Sequence, residues 1–446
     1  MSWYRVTLLT FLLLVLSTAS VWAQSDDRVT QLEAELARLK AEVAALKEGS
    51  SEADRLAELE RRLEVLAAEI EKLRIGEAAA AADQSAYGMG PAASKIYRTE
   101  RGLSIGGYGE LLYQRFDSAR DDGAPSGRRD TFDLQRGIFY FGYKWSDKWL
   151  LNAEVEYEHA GEEVSLEFAY LDYLWRPEAN VRAGLVLVPM GFVNELHEPT
   201  VFLGANRPSI ERLIIPSTWR ENGFGLFGEA GSLSYRSYIV NGFDAAGFAA
   251  SGLRGGRQNG GQALAEDFAW VGRLDYTGVP GLLVGGSAYV GSAGQDLRTA
   301  GGRSVDVGVQ IFEGHAEVRW HGLQARALVV QADLDDVTDL NAALGLTGAG
   351  SVGEKLSGYY LELGYDVLAG RGEKALIPFA RFESYNTQDE VPAGFRANAA
   401  NDVESLTLGL AWKPFEQIVV KTDWQDLDNA AGTGVDQFNV LLGYVF

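Results

Sequence analysis

No cysteine occurs among the 446 residues, which removes disulfides, Cys-ligated zinc and thiol chemistry together. Histidine is nearly as scarce: His159, His197, His315 and His321 are the full set, and their spacing matches no metal-ligand motif. Cations are in deficit, with 40 Lys and Arg against 62 Asp and Glu, for a formal charge of -22. A chain this acidic repels phosphate backbones, so nucleic acid is disfavoured as a partner. Beyond the first 23 residues no apolar run approaches the roughly 18 residues a spanning helix needs. Aromatic residues, by contrast, are abundant: 10 Trp, 19 Tyr and 20 Phe. Disordered acidic chains are poor in aromatics, so the sequence reads as folded.

Residues 1–23 have the pattern of a signal peptide. Arg5 supplies a positive start, Val6 to Leu16 an apolar core, and Ser17 to Ala23 a small-residue end. Val21 and Ala23 hold the cleavage-specifying positions, which predicts a mature start at Gln24. An exported chain without a spanning helix can cross a membrane only as a closed β-barrel, because only that arrangement satisfies every backbone group. Residues 24–76 are rich in Ala, Leu, Glu, Arg and Lys. Val29, Leu32, Leu36, Leu39, Val43 and Leu46, then Leu56, Leu59, Leu63, Leu66, Ile70 and Leu73, alternate spacings of three and four. This predicts an α-helical coiled coil in two stretches, broken at Gly49 to Ser51, serving as an oligomerising periplasmic stalk. Residues 77–102 read as a linker.

From Leu103 to Phe446 the hydrophobic period falls to two. Trp149, Leu151, Ala153, Val155 and Tyr157 alternate with Leu150, Asn152, Glu154, Glu156 and Glu158, as half-buried strands do. Sixteen strands are expected, starting near Leu103, Thr131, Trp149, Glu163, Asn180, Gly223, Ser232, Asp267, Gly281, Ser304, Leu323, Glu354, Lys374, Asp402, Gln417 and Val435. Connections after even strands are short, such as Ala230–Gly231 and His321–Gly322. Most after odd strands are long, such as Asp117–Asp130 and Gly242–Glu266. An all-β transmembrane barrel of sixteen antiparallel strands, with short periplasmic turns and long outer loops, produces this alternation. Trp145, Trp149, Tyr157, Trp175, Trp270, Tyr276, Trp320, Trp412 and Trp424 fall near strand ends, where interfacial aromatic girdles belong. The last strand ends on Phe446, as outer-membrane barrels recognised for insertion do.

The chemistry is then sought in the lumen. The longest connection, Pro189–Asn222, carries Phe192, Val193, Leu196, Phe202, Leu213, Ile214, Ile215 and Trp219, too apolar a set for a solvent loop. It is expected to fold inward and make the constriction, with Glu195, Arg207, Glu211, Arg212 and Arg220 facing the narrow point or anchoring the loop. Strand positions of inward parity carry Arg136, Arg182, Arg236, Arg273, Arg319, Arg326, Arg381 and Lys421, since a charge on the lipid face costs roughly 2 to 4 kcal/mol at mid-membrane. A ladder of arginines would bind phosphate-like anions bidentately. The competing reading is that they pair with Glu154, Glu156, Glu167, Asp275, Glu317, Glu383 and Asp423 and brace the wall. The glycine runs near Gly106 and Gly255 lack the Lys-Ser/Thr of a phosphate loop, and no Ser/His/acid set stands out. No catalysis, cofactor or metal is expected.

Three segments carry a family resemblance: FDLQRGIFYFGY (Phe132–Tyr143), with Arg136 followed by the small Gly137; VRAGLVLVPMGFVNE (Val181–Glu195); and ERLIIPSTWRENGFGLFGE (Glu211–Glu229). Over Leu103–Phe446 the chain resembles the phosphate-selective porin O and P family. The resemblance implies a homotrimeric sixteen-stranded outer-membrane porin with an inward-folded third loop, in contact with lipid and passing small anionic solutes such as phosphate. The coiled coil adds an expected role in trimerisation or peptidoglycan contact. The expected function is passive diffusion of small anions through an Arg-bearing constriction. The alternatives are a general or sugar-selective porin, or a structural barrel whose stalk tethers the outer membrane to peptidoglycan.

Overall fold

The computed structural model describes residues 85–446, together with Ala34, Glu35, Ala37, Arg38, Lys40 and Arg61, which are helical and exposed. The expected leader and the remainder of the expected coiled coil lie outside the described residues. The chain divides into two units, 1–80 and 81–446, and the second is described below. Among the described residues no helix is long and apolar enough to cross a membrane.

Sixteen antiparallel strands close into one barrel. They are β1 (Gly102–Phe116), β2 (Thr131–Lys144), β3 (Trp149–Glu158), β4 (Glu163–Arg176), β5 (Ala179–Leu187), β6 (Arg220–Ala230), β7 (Leu233–Asn241), β8 (Phe268–Val279), β9 (Leu282–Ser292), β10 (Gly308–Trp320), β11 (Leu323–Leu334), β12 (Lys355–Tyr365), β13 (Ala375–Glu390), β14 (Asp402–Phe415), β15 (Ile418–Asn429) and β16 (Gln437–Val445). Each strand pairs with its sequence neighbours, and β1 closes on β16 from Tyr108 opposite Val445 to Phe116 opposite Gln437. The closure extends to the last residue, whose N–H and C=O both bond to Gly107. A closed barrel leaves no unpaired edge for another chain to template on.

Observed strand starts lie within four residues of the expected ones, and the largest offset is at β10, expected from Ser304 and observed from Gly308. Val305 and Val307 are buried and continue the apolar alternation, but their backbones bond back to Leu297 and Ala293 of the same loop. The dyad pattern therefore runs past the end of the barrel pairing.

The two faces of the wall differ as the period of two requires. Trp145, Trp149, Tyr157, Trp175, Trp270, Tyr276, Trp320, Trp412 and Trp424 are all exposed, on an outer face they share with Phe139, Phe141, Leu361, Leu363 and Leu408. A belt of this extent far exceeds the scattered apolar residues of a water-soluble surface. The inner face holds buried polar groups and, at points, glycine. A Cβ on Gly142 would meet the Ile96 side chain at 2.7 Å, and one on Gly443 would meet Pro199 at 2.6 Å. Bare backbone at these two points lets non-strand segments lie against the wall.

One such segment is residues 85–101, which include the single-turn helix α1 (Lys95–Arg98). Met89, Ala92, Ala93 and Ile96 are buried. Lys95 Nζ donates to the Ile105 carbonyl at 2.8 Å, Asn152 donates to the Ala93 carbonyl at 3.0 Å, and Tyr97 donates to Asp172 at 2.8 Å. The linker reading of 77–102 thus needs correcting over its described part. Small residues there serve close packing on the inner wall at its short-turn end, and not chain freedom. Two further α-helices among the described residues of this unit are α2 (Ile210–Leu213), between β5 and β6, and α3 (Val337–Leu344), between β11 and β12.

Candidate functional site

Residues 188–219 join β5 to β6, and their apolar side chains explain where they go. Val188, Met190, Ile210, Ile214, Ile215 and Trp219 are fully buried. Asn194 ties the two ends of the segment together, donating to the carbonyls of Val188 (2.6 Å) and Trp219 (2.9 Å) and accepting from the Trp219 N–H at 2.6 Å. From there the segment bonds to inner-face side chains of distant strands. Asp423 on β15 accepts from the Ala205 N–H at 2.6 Å, and Lys421 donates to the Gly204 carbonyl at 2.9 Å. Arg381 on β13 donates to the Asn206 carbonyl at 3.3 Å, and Tyr360 on β12 donates to Glu211 at 2.7 Å. Arg273 on β8 donates to the Gly191 carbonyl. On the other side, His197 Nε2 lies 3.2 Å from both Glu154 on β3 and Glu167 on β4.

The carboxylates of this segment are unusually placed. Burial pushes Glu211 up to about 7, against the hydrogen bonds from Tyr360 and the Val193 N–H that favour its charged form. Burial likewise raises Glu198 to about 7, opposed by the N–H groups of Ala93 and Ala92. Glu195 is raised by burial too, with Arg236 and Arg273 pulling the other way.

Most strand cations of inward parity are held by carboxylates. Arg182 bonds to Asp172 at 2.9 Å. Arg236 and Arg273 share Asp275, at 2.8 and 2.9 Å, and both also face Glu195. Arg319 and Arg326 share Glu317, and Arg381 sits between Glu362 (3.4 Å) and Glu383 (3.0 Å). Lys421 is fully buried, with its ammonium 3.6 Å from the centre of the Phe202 ring. Arg220 lies 3.4 Å from Glu167.

A different environment occurs toward the long-loop end. A cavity of about 480 Å³ is bounded by β1, β2, β15, β16 and the 188–219 segment, and five arginines line it: Arg128, Arg136, Arg207, Arg212 and Arg254. Glu110 is its single lining acid and bonds to Arg136 at 2.7 Å, and Arg136 also lies 3.4 Å from Glu156 and 3.2 Å from Glu158, behind the cavity wall. Arg207 Nε and Arg254 Nη1 are buried without a hydrogen-bond partner. Burial, and then Arg257, Arg212, Arg207 and Arg136 around it, push Arg254 down to about 9, still charged at neutral pH. A β-bulge contributes to this wall: Glu110 pairs with Arg136 and Leu111 with Leu134, which leaves Gln135 as the extra residue, so Gln135 and Arg136 both reach the cavity. Arg207 and Arg212 are expected in the constricting loop, and Arg136 on the pore wall. Arg128 and Arg254 are not expected at either place, because they sit in loops, where no alternation tells inside from outside.

Fold and site together define a closed sixteen-stranded antiparallel barrel with a cationic cavity at one end. The chain belongs to one family with an uncharacterized protein of Aquifex aeolicus strain VF5, to which it is 35% identical over 376 residues, covering 80% of this chain and 83% of that protein. No family model matches the chain. Among solved structures, Salmonella typhi OmpF in complex with daunomycin superposes with a TM-score of 0.51 at 14% identity, over 79% of this chain and 99% of that one, a likeness of fold. The outer-membrane channel DcaP of Acinetobacter baumannii (TM-score 0.48, 10% identity, 77% and 97% covered) and the anion-selective porin of Comamonas acidovorans (0.46, 12%, 78% and 100%) are further similar structures.

Proposed function

We propose that the protein is an outer-membrane porin that passes small anions, phosphate among them, by passive diffusion, with the 188–219 segment acting as the inward-folded loop that sets the constriction. The observation that carries this reading is the cavity with five arginines and one carboxylate. A guanidinium presents planar donors that replace part of an anion's hydration shell, and two of these have nitrogens left without a partner. The exposed apolar belt supports a lipid-facing wall. In this reading the even strand count puts both barrel ends and the short turns in the periplasm, and the cavity opens outward. The total charge of -22 does not oppose anion passage, because carboxylates beyond a Debye length of about 8 to 10 Å are screened from the cavity. The expected homotrimer, with trimerisation or peptidoglycan contact through residues 24–76, belongs to the same proposal.

Single-channel recording in asymmetric KCl tests the sign. The expected reversal potential shows chloride preferred over potassium, with current reduced by added phosphate. Preference for potassium overturns the anion reading. Current blocked by a neutral sugar and indifferent to phosphate would favour a sugar porin in its place.

A further inference from the structure

We propose that Glu154, Glu167 and His197 form a binding site for one divalent transition-metal ion of the zinc class, which fastens the 188–219 segment to the β3–β4 wall. One ligand atom from each residue lies within 4.8 Å of the other two, and all three side chains are buried. They come from three separate elements, β3, β4 and the connecting segment, so a shared ion would act as a cross-link. The site is independent of which solute the barrel passes.

Local structure builds the arrangement. On β4 the pairing slips: Glu154 faces Phe168 and Val155 faces Leu166, which leaves Glu167 as the extra residue of a bulge. Glu167 and Phe168 are in consequence both buried on the inner face, though adjacent strand residues ordinarily point to opposite faces. A bulge re-aims a side chain at a chosen point, here at Glu154 and His197. His197 Nδ1 lies 2.9 Å from the Asn194 carbonyl, the bond that fixes which ring nitrogen carries the proton. With Nδ1–H donating there, the Nε2 lone pair of the neutral ring is directed between two carboxylates, each 3.2 Å away. A lone pair against carboxylate oxygens is repulsive, so either a proton on Nε2 or a metal cation lies among them. A metal-bound histidine has this same second bond, from its other ring nitrogen to a carbonyl or carboxylate.

An independent observation points the same way. Glu154 Oε2 is buried and accepts no hydrogen bond, while Glu167 Oε2 is the oxygen that faces His197 Nε2 at 3.2 Å. An orphaned buried carboxylate oxygen is costly and calls for a counter-charge. Arg220, 3.4 Å from Glu167, supplies one toward the other oxygen, Oε1, and nothing comparable reaches Glu154 Oε2. One imidazole and two carboxylates form a nitrogen and oxygen donor set that suits zinc, with a fourth position left for water, and the absence of sulfur disfavours soft ions. The spacing of histidines along the chain could not show this, because the site has a single histidine, and its two carboxylates lie on neighbouring strands and meet His197 only through the barrel.

Buried ligands imply that the ion enters as the segment settles on the wall, so the test loads it during folding. The full chain is refolded from urea into detergent with zinc, or with a chelator, then desalted and its metal counted by mass spectrometry. About one zinc per chain is expected, with a melting temperature several degrees above that of the chelated sample. X-ray absorption of the retained zinc should show one imidazole and oxygen ligands at about 2.0 to 2.2 Å. His197→Gln and Glu154→Gln should each lower zinc retention by at least about 100-fold, with the barrel spectrum by circular dichroism unchanged. No zinc retained by the unmodified chain, the outcome if His197 is instead a protonated imidazole shared by the two carboxylates, overturns the proposal, as does equal retention by His197→Gln. If the variants do not fold, an absorption spectrum without an imidazole signature overturns it on the unmodified chain alone.

Discussion

Two regions of the inner wall use the same residue type to opposite ends. Along β4 to β8, the buried guanidiniums have carboxylates: Arg182 has Asp172, and Arg236 and Arg273 meet at Asp275 with His315 on its other oxygen. At the long-loop end, five arginines line a cavity whose one lining acid, Glu110, is bonded to Arg136. The first set is neutralised and buried, so it braces the wall and the segment against it. In the second, Arg136 is likewise paired with carboxylates, whereas Arg207 and Arg254 keep unspent donors. An arginine of inward parity is therefore not a solute contact by virtue of its orientation; the nearest carboxylate decides.

The largest effect expected from this contrast is at Asp275. Asp275→Ala leaves Arg236, Arg273 and His315 without a shared counter-charge, and removal of one partner from a buried ion cluster costs about 3 to 5 kcal/mol. Urea unfolding in detergent micelles reads this directly. A loss under about 1 kcal/mol would mean that water already reaches the cluster, and the two regions would no longer differ in kind. Next is Glu211, whose carboxyl is raised to about 7 by burial. A carboxyl raised in the folded state binds its proton more tightly there than in the unfolded chain, so its contribution to stability falls as pH rises from about 4.5 to 7. Glu211→Gln reproduces the protonated shape. It should be more stable than the unmodified chain at pH 8, by up to the order of 3 kcal/mol, with the advantage vanishing near pH 4.5. An advantage that is the same at both pH values would assign it to packing.

The barrel was legible from the sequence because its signal is periodic. Trp149 to Glu158 alternates without a break, and the short-long sequence of connections orders the strands. The expected separation of inner from outer side chains in β3 is the observed one, with Leu150, Asn152 and Glu154 buried. Partnership was not legible. Arg136 and Arg207 are both arginines that line the cavity, yet Arg136 lies against Glu110, Glu156 and Glu158, whereas Arg207 keeps a buried nitrogen without a partner. Which carboxylates reach an arginine depends on the pairing register, which strands and bulges set. Loop residues such as Arg128 and Arg254 lay wholly beyond a method that reads alternation. Glycine misled in the opposite direction: the small residues before Leu103 suggested a free linker, whereas Gly90 lets Glu198 approach closely.

A smaller energy, with a sharper readout, is expected at the cavity. Replacing Arg207, Arg212 and Arg254 by Ala should lower the chloride-to-potassium permeability ratio by about tenfold, equivalent to about 1.4 kcal/mol. Arg182→Ala should instead cost stability and leave the ratio nearly unchanged, since Asp172 already neutralises that charge. If Arg182→Ala shifts the ratio as far as the triple substitution does, the division of the wall into braced and open halves fails. The same preference should fade with ionic strength, because the Debye length shrinks from about 10 Å at 0.1 M to about 3 Å at 1 M. Recordings at both concentrations test whether the field or direct coordination governs passage.

The smallest effect expected is at an ion pair that belongs to neither region. Arg303, in the β9–β10 loop, bonds to Asp339 on α3, and its side chain is 68% exposed. Water solvates both partners before and after the pair is broken, and the long Arg side chain regains rotamer freedom when released. Arg303→Ala should therefore cost no more than about 0.2 to 1 kcal/mol in the same urea assay that reads Asp275. Each substitution removes one member of an ion pair, an anion from a buried cluster at Asp275 and a cation from an exposed pair at Arg303, so burial is the main contrast between the two sites. A loss at Arg303 approaching that at Asp275 would show that the loops over the barrel are drier than their exposure implies, and that the contrast along the wall rests on something other than access to water.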